Sequence, residues 1–166
     1  MSLFPQDIVS AAEAIIRDFT AAGLMISTAE SCTGGLISGA LTEISGSSAV
    51  VDRGFVTYTN TAKIELLGVQ EQTLLRFGAV SEETARQMVH GALLRSSADI
   101  AVAVTGIAGP GGGSAEKPVG LVHLAAKSRA GALIHRKILY GDIGRGEIRL
   151  ATIRTALEMV RLLLTR

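Results

Sequence analysis

Two glycine-containing turns in this sequence carry groups that could do chemistry. The first, residues 28–35, reads Thr-Ala-Glu-Ser-Cys-Thr-Gly-Gly, and the second, residues 104–114, is rich in glycine. Ser31 lies between a predicted strand and a predicted helix, so its hydroxyl would project from the sheet edge where α/β proteins bind ligands. The amides of residues 33–35 would then be free donors of a helix N-terminus, suited to an anion or an oxyanion.

Ser31 has two interpretations. It could be a nucleophile, or Ser31 or Thr33 could only cap the following helix, because side-chain caps are common. Cys32 is ambiguous in the same way, since a thiol at a helix N-terminus can be a nucleophile but a lone cysteine is more often a small buried apolar residue. Spacing leaves these alternatives open, although Ser31 lies nearer to the strand end than Cys32.

A serine amidase needs a group that accepts the hydroxyl proton. The three histidines, His90, His123 and His135, fall in a predicted helix and two predicted strands, which disfavours a Ser-His-Asp triad. They are also unclustered, so their spacing predicts no metal site. Lysine or tyrosine remains, and Lys63 lies just past a predicted strand that ends at Tyr58. A lysine in an apolar pocket can lose its proton near neutral pH, whereas most lysines are solvated surface charges.

Two further features could bind an anion. Arg145 and Arg149 are one helical turn apart, where they could clamp a phosphate or carboxylate, or form a solvated basic face. The second turn lacks the Gly-Lys-Ser/Thr of a Walker A loop and precedes a strand, unlike a dinucleotide fingerprint. It could offer N–H groups to a ligand, or be a surface loop stiffened at its ends by Pro110 and Pro118.

Alternating helices and strands must position these turns. Apolar residues at helical spacing predict helices over residues 5–22, 36–44, 61–67, 82–93 and 146–164, with Asn60 and Ser81 as caps. Strands are predicted over residues 24–29, 50–58, 100–104, 119–127 and 133–140, the last two as a hairpin. The continuous apolar run 100–104 is typical of a central strand covered on both faces. The pattern predicts an α/β fold, a single three-layer α/β/α domain with a mostly parallel central sheet.

Composition narrows the class of protein. The 166 residues correspond to one domain, and 48% hydrophobic with 19% charged residues excludes disorder. A formal net charge of +1 and 4% aromatic residues argue against nucleic acid as a partner. No apolar run reaches the ~18 residues of a membrane span, and the N-terminus does not resemble a signal peptide. One cysteine fits a reducing compartment, so we expect a cytoplasmic protein with no membrane partner.

Taken together, the motifs resemble the C-terminal domain of the CinA competence/damage-inducible family. The resemblance covers nearly the whole chain in the right order, through residues 28–35, 104–110, 112–113, 117–120 and 145–149. It implies a three-layer α/β/α fold in a bacterial cytosol, usually homo-oligomeric, with no metal and no cofactor. Many members carry an additional N-terminal domain, and this chain is expected to be the stand-alone form.

The same family contains nicotinamide-nucleotide amidohydrolases, which convert nicotinamide mononucleotide (NMN) to nicotinate mononucleotide and ammonia. The resemblance therefore implies an enzyme of pyridine-nucleotide salvage with NMN as its small-molecule partner. It implies Ser31 as the nucleophile, Lys63 as its base, and Tyr58 in proton transfer or substrate positioning. The substrate-binding residues that it implies are Thr33, Gly34, Gly35, Thr105, Gly106 and Arg145, with Arg149 as the alternative to Arg145.

Arg149 is an alternative because the chain departs from the family pattern before the last helix. The family reads Gly-Asp-Arg there, whereas this sequence has two more residues between Asp142 and Arg145. Two other functions also remain open, namely a non-catalytic regulatory module that binds pyridine nucleotides and an amidase for another carboxamide. The joint presence of Ser31, Tyr58 and Lys63 favours catalysis, because binding alone does not require them.

Overall fold

The computed structural model describes residues 1–165 and shows helices and strands in the predicted order. The helices are α1 (Gln6–Ala22), α2 (Leu36–Thr42), α3 (Asn60–Leu67), α4 (Glu71–Phe77), α5 (Glu82–Leu94) and α6 (Arg145–Leu164). The strands are β1 (Ile26–Glu30), β2 (Val51–Val56), β3 (Ile100–Gly106), β4 (Leu121–Ser128) and β5 (Leu133–Leu139). The sequence does not predict α4, because seven residues are too few to display a helical period. No helix of the described chain has the length and apolar character to cross a membrane.

The five strands form one sheet in the order β2-β1-β3-β4-β5. β1 pairs in parallel with both β2 and β3, whereas β3–β4 and β4–β5 are antiparallel pairs. Only β4 therefore runs against the other strands, which confirms the mostly parallel sheet. The β4–β5 hairpin is also where the sequence predicts it, and its turn contains Gly131 at a φ of 111°.

Helices cover both faces of this sheet and confirm the three layers. On one face α1, α2 and α6 bury apolar side chains that include Phe19 and Leu157. On the other face α5, with α3 and α4, buries a second cluster that includes Met88. β3 contributes to both clusters, with Val102 on the first face and Ala103 on the second. This double coverage explains why the sequence of β3 is a continuous apolar run.

Side-chain caps set where two helices begin. Ser81 caps α5 as predicted, since its hydroxyl accepts a hydrogen bond from the Thr84 amide at 3.2 Å. In α3 the cap is Thr59 rather than the predicted Asn60, and the Thr59 hydroxyl accepts from the Ala62 amide at 3.0 Å. The difference arises because the extended backbone after β2 continues through Thr59, and the cap must be the last non-helical residue.

The sheet register brings three chain segments to one edge. Glu30 at the end of β1 lies opposite Val56 of β2 and Val104 of β3. The next residues are joined by backbone hydrogen bonds, from the Ser31 amide to the Val104 carbonyl at 3.1 Å and from the Thr57 amide to the Glu30 carbonyl at 2.9 Å. The turns that follow β1, β2 and β3 therefore surround one region, as expected for a ligand site in an α/β sheet.

Candidate active site

A cavity of about 270 Å³ opens at this edge of the sheet. Its walls come from the β1–α2 turn, the segment between β2 and α3, the glycine-rich loop after β3 and the start of α6. Six of the sequence-predicted site residues line it, namely Ser31, Tyr58, Lys63, Thr105, Gly106 and Arg145. The other four, which are Thr33, Gly34, Gly35 and Arg149, are not among its lining residues.

Ser31 and Lys63 are in direct contact in this cavity. The Nζ atom of Lys63 lies 3.0 Å from the Oγ atom of Ser31. The same Nζ donates to the carbonyl oxygens of Thr57 at 2.8 Å and Tyr58 at 3.4 Å. Lys63 is only 1% exposed, and no carboxylate of residues 1–165 pairs with it. The ammonium group is therefore buried against neutral oxygens alone, where its charged form is poorly solvated.

Burial at this site shifts the pKa values of Lys63 and Cys32. Loss of hydration lowers the pKa of Lys63 to about 8, so a usable fraction of the amine is neutral near neutral pH and can accept a proton. Burial has the opposite effect on the neighbouring thiol and raises the pKa of Cys32 to about 11. A protonated thiol is a poor nucleophile, so the geometry favours Ser31 over Cys32.

Arg145 and Tyr58 meet at the mouth of the cavity. One guanidinium nitrogen of Arg145 donates to the Tyr58 hydroxyl at 2.9 Å, and another donates to the Gly109 carbonyl at 2.8 Å. These bonds join the start of α6 to the segment after β2 and to the glycine-rich loop. Tyr58 is 58% exposed and Arg145 is also exposed, so both can reach a ligand that enters from solvent.

Thr105 and Gly106 end β3 at the wall of the cavity. The Thr105 hydroxyl donates to the Ala79 carbonyl at 2.8 Å and so ties β3 to the segment before α5. A Cβ at position 106 would lie 2.7 Å from Val122 Cγ2 and 2.9 Å from the Leu121 carbonyl oxygen. Glycine is therefore required at position 106 by the close approach of β4.

Glu30 holds the turn that carries Ser31 in place, a role that the sequence did not predict. Its fully buried carboxylate accepts hydrogen bonds from the Thr33 hydroxyl at 2.6 Å, the Ile37 amide at 2.8 Å and the Ser38 amide at 3.0 Å. Glu30 therefore satisfies the start of α2, which has no other side-chain cap. The signal in the sequence was a carboxylate at the end of a buried strand, followed by a helix that begins after glycine.

The expected anion site at residues 33–35 stays a prediction, and hydrogen bonds within the turn already use some of the amides around it. The first turn of α2 already holds the chain's own carboxylate, and the Gly34 amide donates to the Ser31 carbonyl at 3.0 Å. Gly34 and Gly35 have φ values of 59° and 99°, a backbone region open mainly to glycine. Their role in the structure is to turn the chain sharply between β1 and α2.

Arg149 lies outside the lining of the cavity. Its Nε donates to the Cys32 carbonyl and one terminal nitrogen donates to the Thr33 carbonyl, each at 3.1 Å. The guanidinium thus lies against the backbone of the Ser31 turn, because α6 packs beside α2. The expectation that Arg149 could replace Arg145 as the residue that holds the substrate stays a prediction, and this contact shows that the Arg149 guanidinium already has two acceptors.

None of the histidines lines the cavity. His123 and His135 form a pair on the β4–β5 hairpin, with Nδ1 and Nε2 separated by 3.0 Å, and His90 contacts Lys127. In the described part of the chain, no group of three or more His, Cys, Asp or Glu side chains is arranged to hold a metal ion. Ser31 and Lys63 are the hydroxyl and the amine that lie in direct contact in this cavity.

Comparison with known proteins identifies similar sequences. The family model described as the CinA C-terminal domain matches residues 8–164. A nicotinamide-nucleotide amidohydrolase PncC of Enterobacter agglomerans is 56% identical over 117 residues, which cover 70% of this chain and 71% of that protein. A protein of Caldicellulosiruptor bescii named as competence-damage inducible is 50% identical over 90% of this chain. The chain spans only 36% of that longer protein.

Solved structures extend the similarity to the whole fold. The competence/damage inducible protein CihA from Agrobacterium tumefaciens is 72% identical, with a TM-score of 0.98 and coverage of 100% of both chains. A competence-damaged protein (CinA) superfamily protein from Escherichia coli is 34% identical, with a TM-score of 0.89. That match covers 100% of this chain and 95% of the other.

Proposed function

The chain belongs to the family of CinA C-terminal domains, and from this premise we propose that it is an amidohydrolase that converts NMN to nicotinate mononucleotide and ammonia. The observation that carries the proposal is the 3.0 Å contact between Ser31 Oγ and Lys63 Nζ. A buried lysine without a carboxylate partner is suited to be the base for a serine nucleophile. The name of the Enterobacter agglomerans relative supports the choice of substrate.

The first half of the proposed reaction transfers the acyl group to Ser31. Neutral Lys63 accepts the hydroxyl proton while Oγ bonds to the carboxamide carbon, and the carbonyl electron pair moves onto oxygen. The protonated Lys63 then gives this proton to the leaving nitrogen, so that the C–N bond breaks and ammonia departs. The carbonyls of Thr57 and Tyr58 hold Nζ in place for both transfers.

The second half hydrolyses the ester on Ser31. A water molecule loses a proton to Lys63 as its oxygen bonds to the acyl carbon. The proton passes to Ser31 Oγ when the ester bond breaks, which regenerates the hydroxyl and releases the carboxylic acid. One group therefore acts as base and acid in both halves, as a pKa near the working pH allows.

Charge at the cavity supports a substrate with an anionic group. Among residues 1–165, its lining includes the guanidinium of Arg145 and no aspartate or glutamate. We assign the phosphate of the mononucleotide to Arg145, because a guanidinium at the mouth can bind phosphate oxygens from one side. Tyr58 is assigned to substrate positioning, since its hydroxyl is already bonded to Arg145. Thr105 and Gly106 are proposed to contact the substrate from the β3 side.

The test is ammonia release from NMN in the presence of EDTA. The wild-type protein should release ammonia, and Ser31→Ala should reduce kcat by at least about 10³-fold, because the attacking oxygen is lost. Ser10→Ala, which changes an exposed serine on α1, is the matched control and should keep full activity. Melting temperatures of the three proteins show whether a loss of activity reflects a loss of folding.

Three other results of this assay would each indicate a different function or mechanism. Comparable ammonia release by Ser31→Ala would exclude this serine as the nucleophile and direct attention to Cys32 or direct attack by water. Calorimetric binding of NMN without ammonia release would favour a regulatory nucleotide-binding module. If the protein neither binds nor hydrolyses NMN, the substrate assignment is wrong, and other carboxamides become the compounds to assay.

A further inference from the structure

Two backbone N–H groups beside Ser31 have no hydrogen-bond acceptor in any other residue of the described chain. The amides of Cys32 and Thr33 donate no hydrogen bond to another residue among residues 1–165. Both residues are nevertheless buried, at 5% and 0% exposure. Buried N–H groups without an acceptor are rare in folded proteins, and those that occur are often kept for a ligand or an intermediate.

The direction of the Thr33 amide follows from the contact of Arg149. A trans peptide points its C=O and N–H in opposite directions. The Thr33 N–H shares a peptide group with the Cys32 carbonyl, which accepts a hydrogen bond from Arg149 Nε at 3.1 Å. Arg149 therefore holds this peptide with its N–H directed away from the guanidinium.

The same guanidinium sets the direction of the Cys32 amide through one further peptide. A terminal nitrogen of Arg149 donates to the Thr33 carbonyl at 3.1 Å, and the N–H of that peptide belongs to Gly34. The Gly34 amide in turn donates to the Ser31 carbonyl at 3.0 Å, whose peptide carries the Cys32 N–H. One side chain thus orients both of the N–H groups that have no acceptor.

The chemistry of the guanidinium adds to this orientation. No carboxylate of the described chain forms an ion pair with Arg149, so its charge acts on the two carbonyls. A carbonyl that accepts a hydrogen bond from a cation polarises its peptide and strengthens the N–H as a donor. Glu30 holds the other side of the turn through the Thr33 hydroxyl at 2.6 Å. The turn is therefore rigid, as an oxyanion-binding site must be.

We propose that the N–H groups of Cys32 and Thr33 bind the oxyanion that forms when Ser31 attacks the substrate, and that Arg149 is the positioning residue that directs them. This inference rests on the proposed hydrolase function. In this role Arg149 stabilises the transition state through the two N–H groups, and it does not change the affinity for the substrate.

The primary experiment compares Arg149→Ala with the matched control Arg154→Ala, an arginine on the same helix that pairs with Asp7. With NMN as substrate, Arg149→Ala should lower kcat by about 10²–10³-fold, as loss of an oxyanion donor does, with KM within about threefold of the wild type. Arg154→Ala should change neither constant. Because Arg149 is only half-buried, guanidinium chloride at low concentration should restore part of the kcat of Arg149→Ala and have no such effect on Arg154→Ala.

A second measurement does not depend on NMN. A fluorophosphonate probe forms a P–O bond to the serine with loss of fluoride, and its phosphoryl oxygen uses the same donors. Labelling of Ser31, located by mass spectrometry, should slow in Arg149→Ala in parallel with kcat. If the wild type is labelled but releases no ammonia from NMN, the substrate is wrong. Slower labelling of Arg149→Ala would then still support the role of Arg149.

Three results would overturn the inference. The first is an unchanged kcat and labelling rate in folded Arg149→Ala, and the second is a raised KM with kcat unchanged, which indicates direct substrate contact. The third is a wild-type protein that the probe does not label, which also removes Ser31 as a nucleophile. If Arg149→Ala fails to fold, Arg149→Lys replaces it, because a single ammonium cannot bridge two carbonyls and should still lower kcat.

Discussion

Lys63 shows how a single residue acquires a function from its surroundings. Its charge is buried with three neutral oxygens as its neighbours, which are Ser31 Oγ and the carbonyls of Thr57 and Tyr58. In water an ammonium group holds its proton well above neutral pH, but here desolvation lowers the pKa to about 8. The burial that disfavours the charged form therefore increases the fraction of neutral amine near neutral pH, which the proposed role of Lys63 as a base requires.

This residue determines the expected pH dependence of the reaction. In the proposed reaction the neutral form of Lys63 is the base, and its fraction increases as the pH rises, so kcat/KM should increase with pH and level off above an apparent pKa near 8. Lys63→Arg should be inactive over the whole range, because arginine keeps its proton. The measurement is the initial rate of ammonia release at low NMN concentration in a series of buffers.

Substitution of a surface lysine is the control for the pH dependence of kcat/KM. Lys137 on β5 is exposed, and Lys137→Gln should show the same apparent pKa as the wild type. A wild-type profile that is flat through this range would exclude Lys63 as the base, even if Lys63→Arg is inactive for steric reasons.

At the scale of secondary structure, the site depends on how closely α3 approaches α5. Gly91 in α5 faces the C-terminal end of α3, where a Cβ would overlap the Leu67 carbonyl. The missing side chain lets the two helices lie in contact, and α3 carries Lys63 into the cavity. The position of Lys63 therefore depends on a glycine that lies outside the cavity.

Gly91→Ala should destabilise the protein although alanine is the better helix former by about 1 kcal/mol. The overlap is with backbone, so α3 must move, and both the melting temperature and kcat should fall. Gly146→Ala in the first turn of α6 is the matched control, since a Cβ there meets no atom within 4 Å. Equal melting temperatures for Gly91→Ala and the wild type would show that the contact between α3 and α5 is not tight.

At the scale of the whole molecule, the antiparallel hairpin brings a histidine pair under α5. His123 and His135 lie on neighbouring strands, and His135 is 3.5 Å from the Glu82 carboxylate at the start of α5. Burial lowers the pKa of His123 to about 4 and also lowers the pKa of His135. The positive charges of Lys137 and Lys117 further lower the pKa of His123, and Arg86 lowers that of His135, whereas the Glu82 carboxylate raises both pKa values and partly opposes these effects.

This pair should make global stability sensitive to acid. Between about pH 6.5 and about pH 4, His123 binds a proton in the unfolded chain but not in the folded protein. The free energy of unfolding should therefore decrease as pH falls through this window, by at most about 1.4 kcal/mol per pH unit for this group. Urea unfolding at several pH values measures the slope.

His123→Gln should flatten that dependence, because the side chain no longer titrates. His90→Gln, which changes an exposed histidine on α5, is the control and should keep the wild-type slope. If His123→Gln retains the full slope as well, the acid sensitivity comes from other groups.

The sequence alone was sufficient for the architecture and for the candidate catalytic groups. Alternating apolar periods predicted every helix and strand except α4, because the burial of one face leaves a local pattern of period two or 3.6. The glycines of residues 33–35 and 104–114 indicated the two turns at the site, since tight turns restrict residue type locally. The resemblance to CinA domains then singled out Ser31, Lys63 and Tyr58.

Only the tertiary structure determined what surrounds these groups. The 3.0 Å contact between Ser31 and Lys63 joins positions that are 32 residues apart, and burial of the lysine depends on the packing of α3. The sequence likewise could not show that Glu30 caps α2 or that Arg149 reaches the Cys32 and Thr33 carbonyls. The physical reason is that residue type and local period specify how a segment folds. Ionisation and hydrogen-bond partners depend instead on groups that other segments bring into contact.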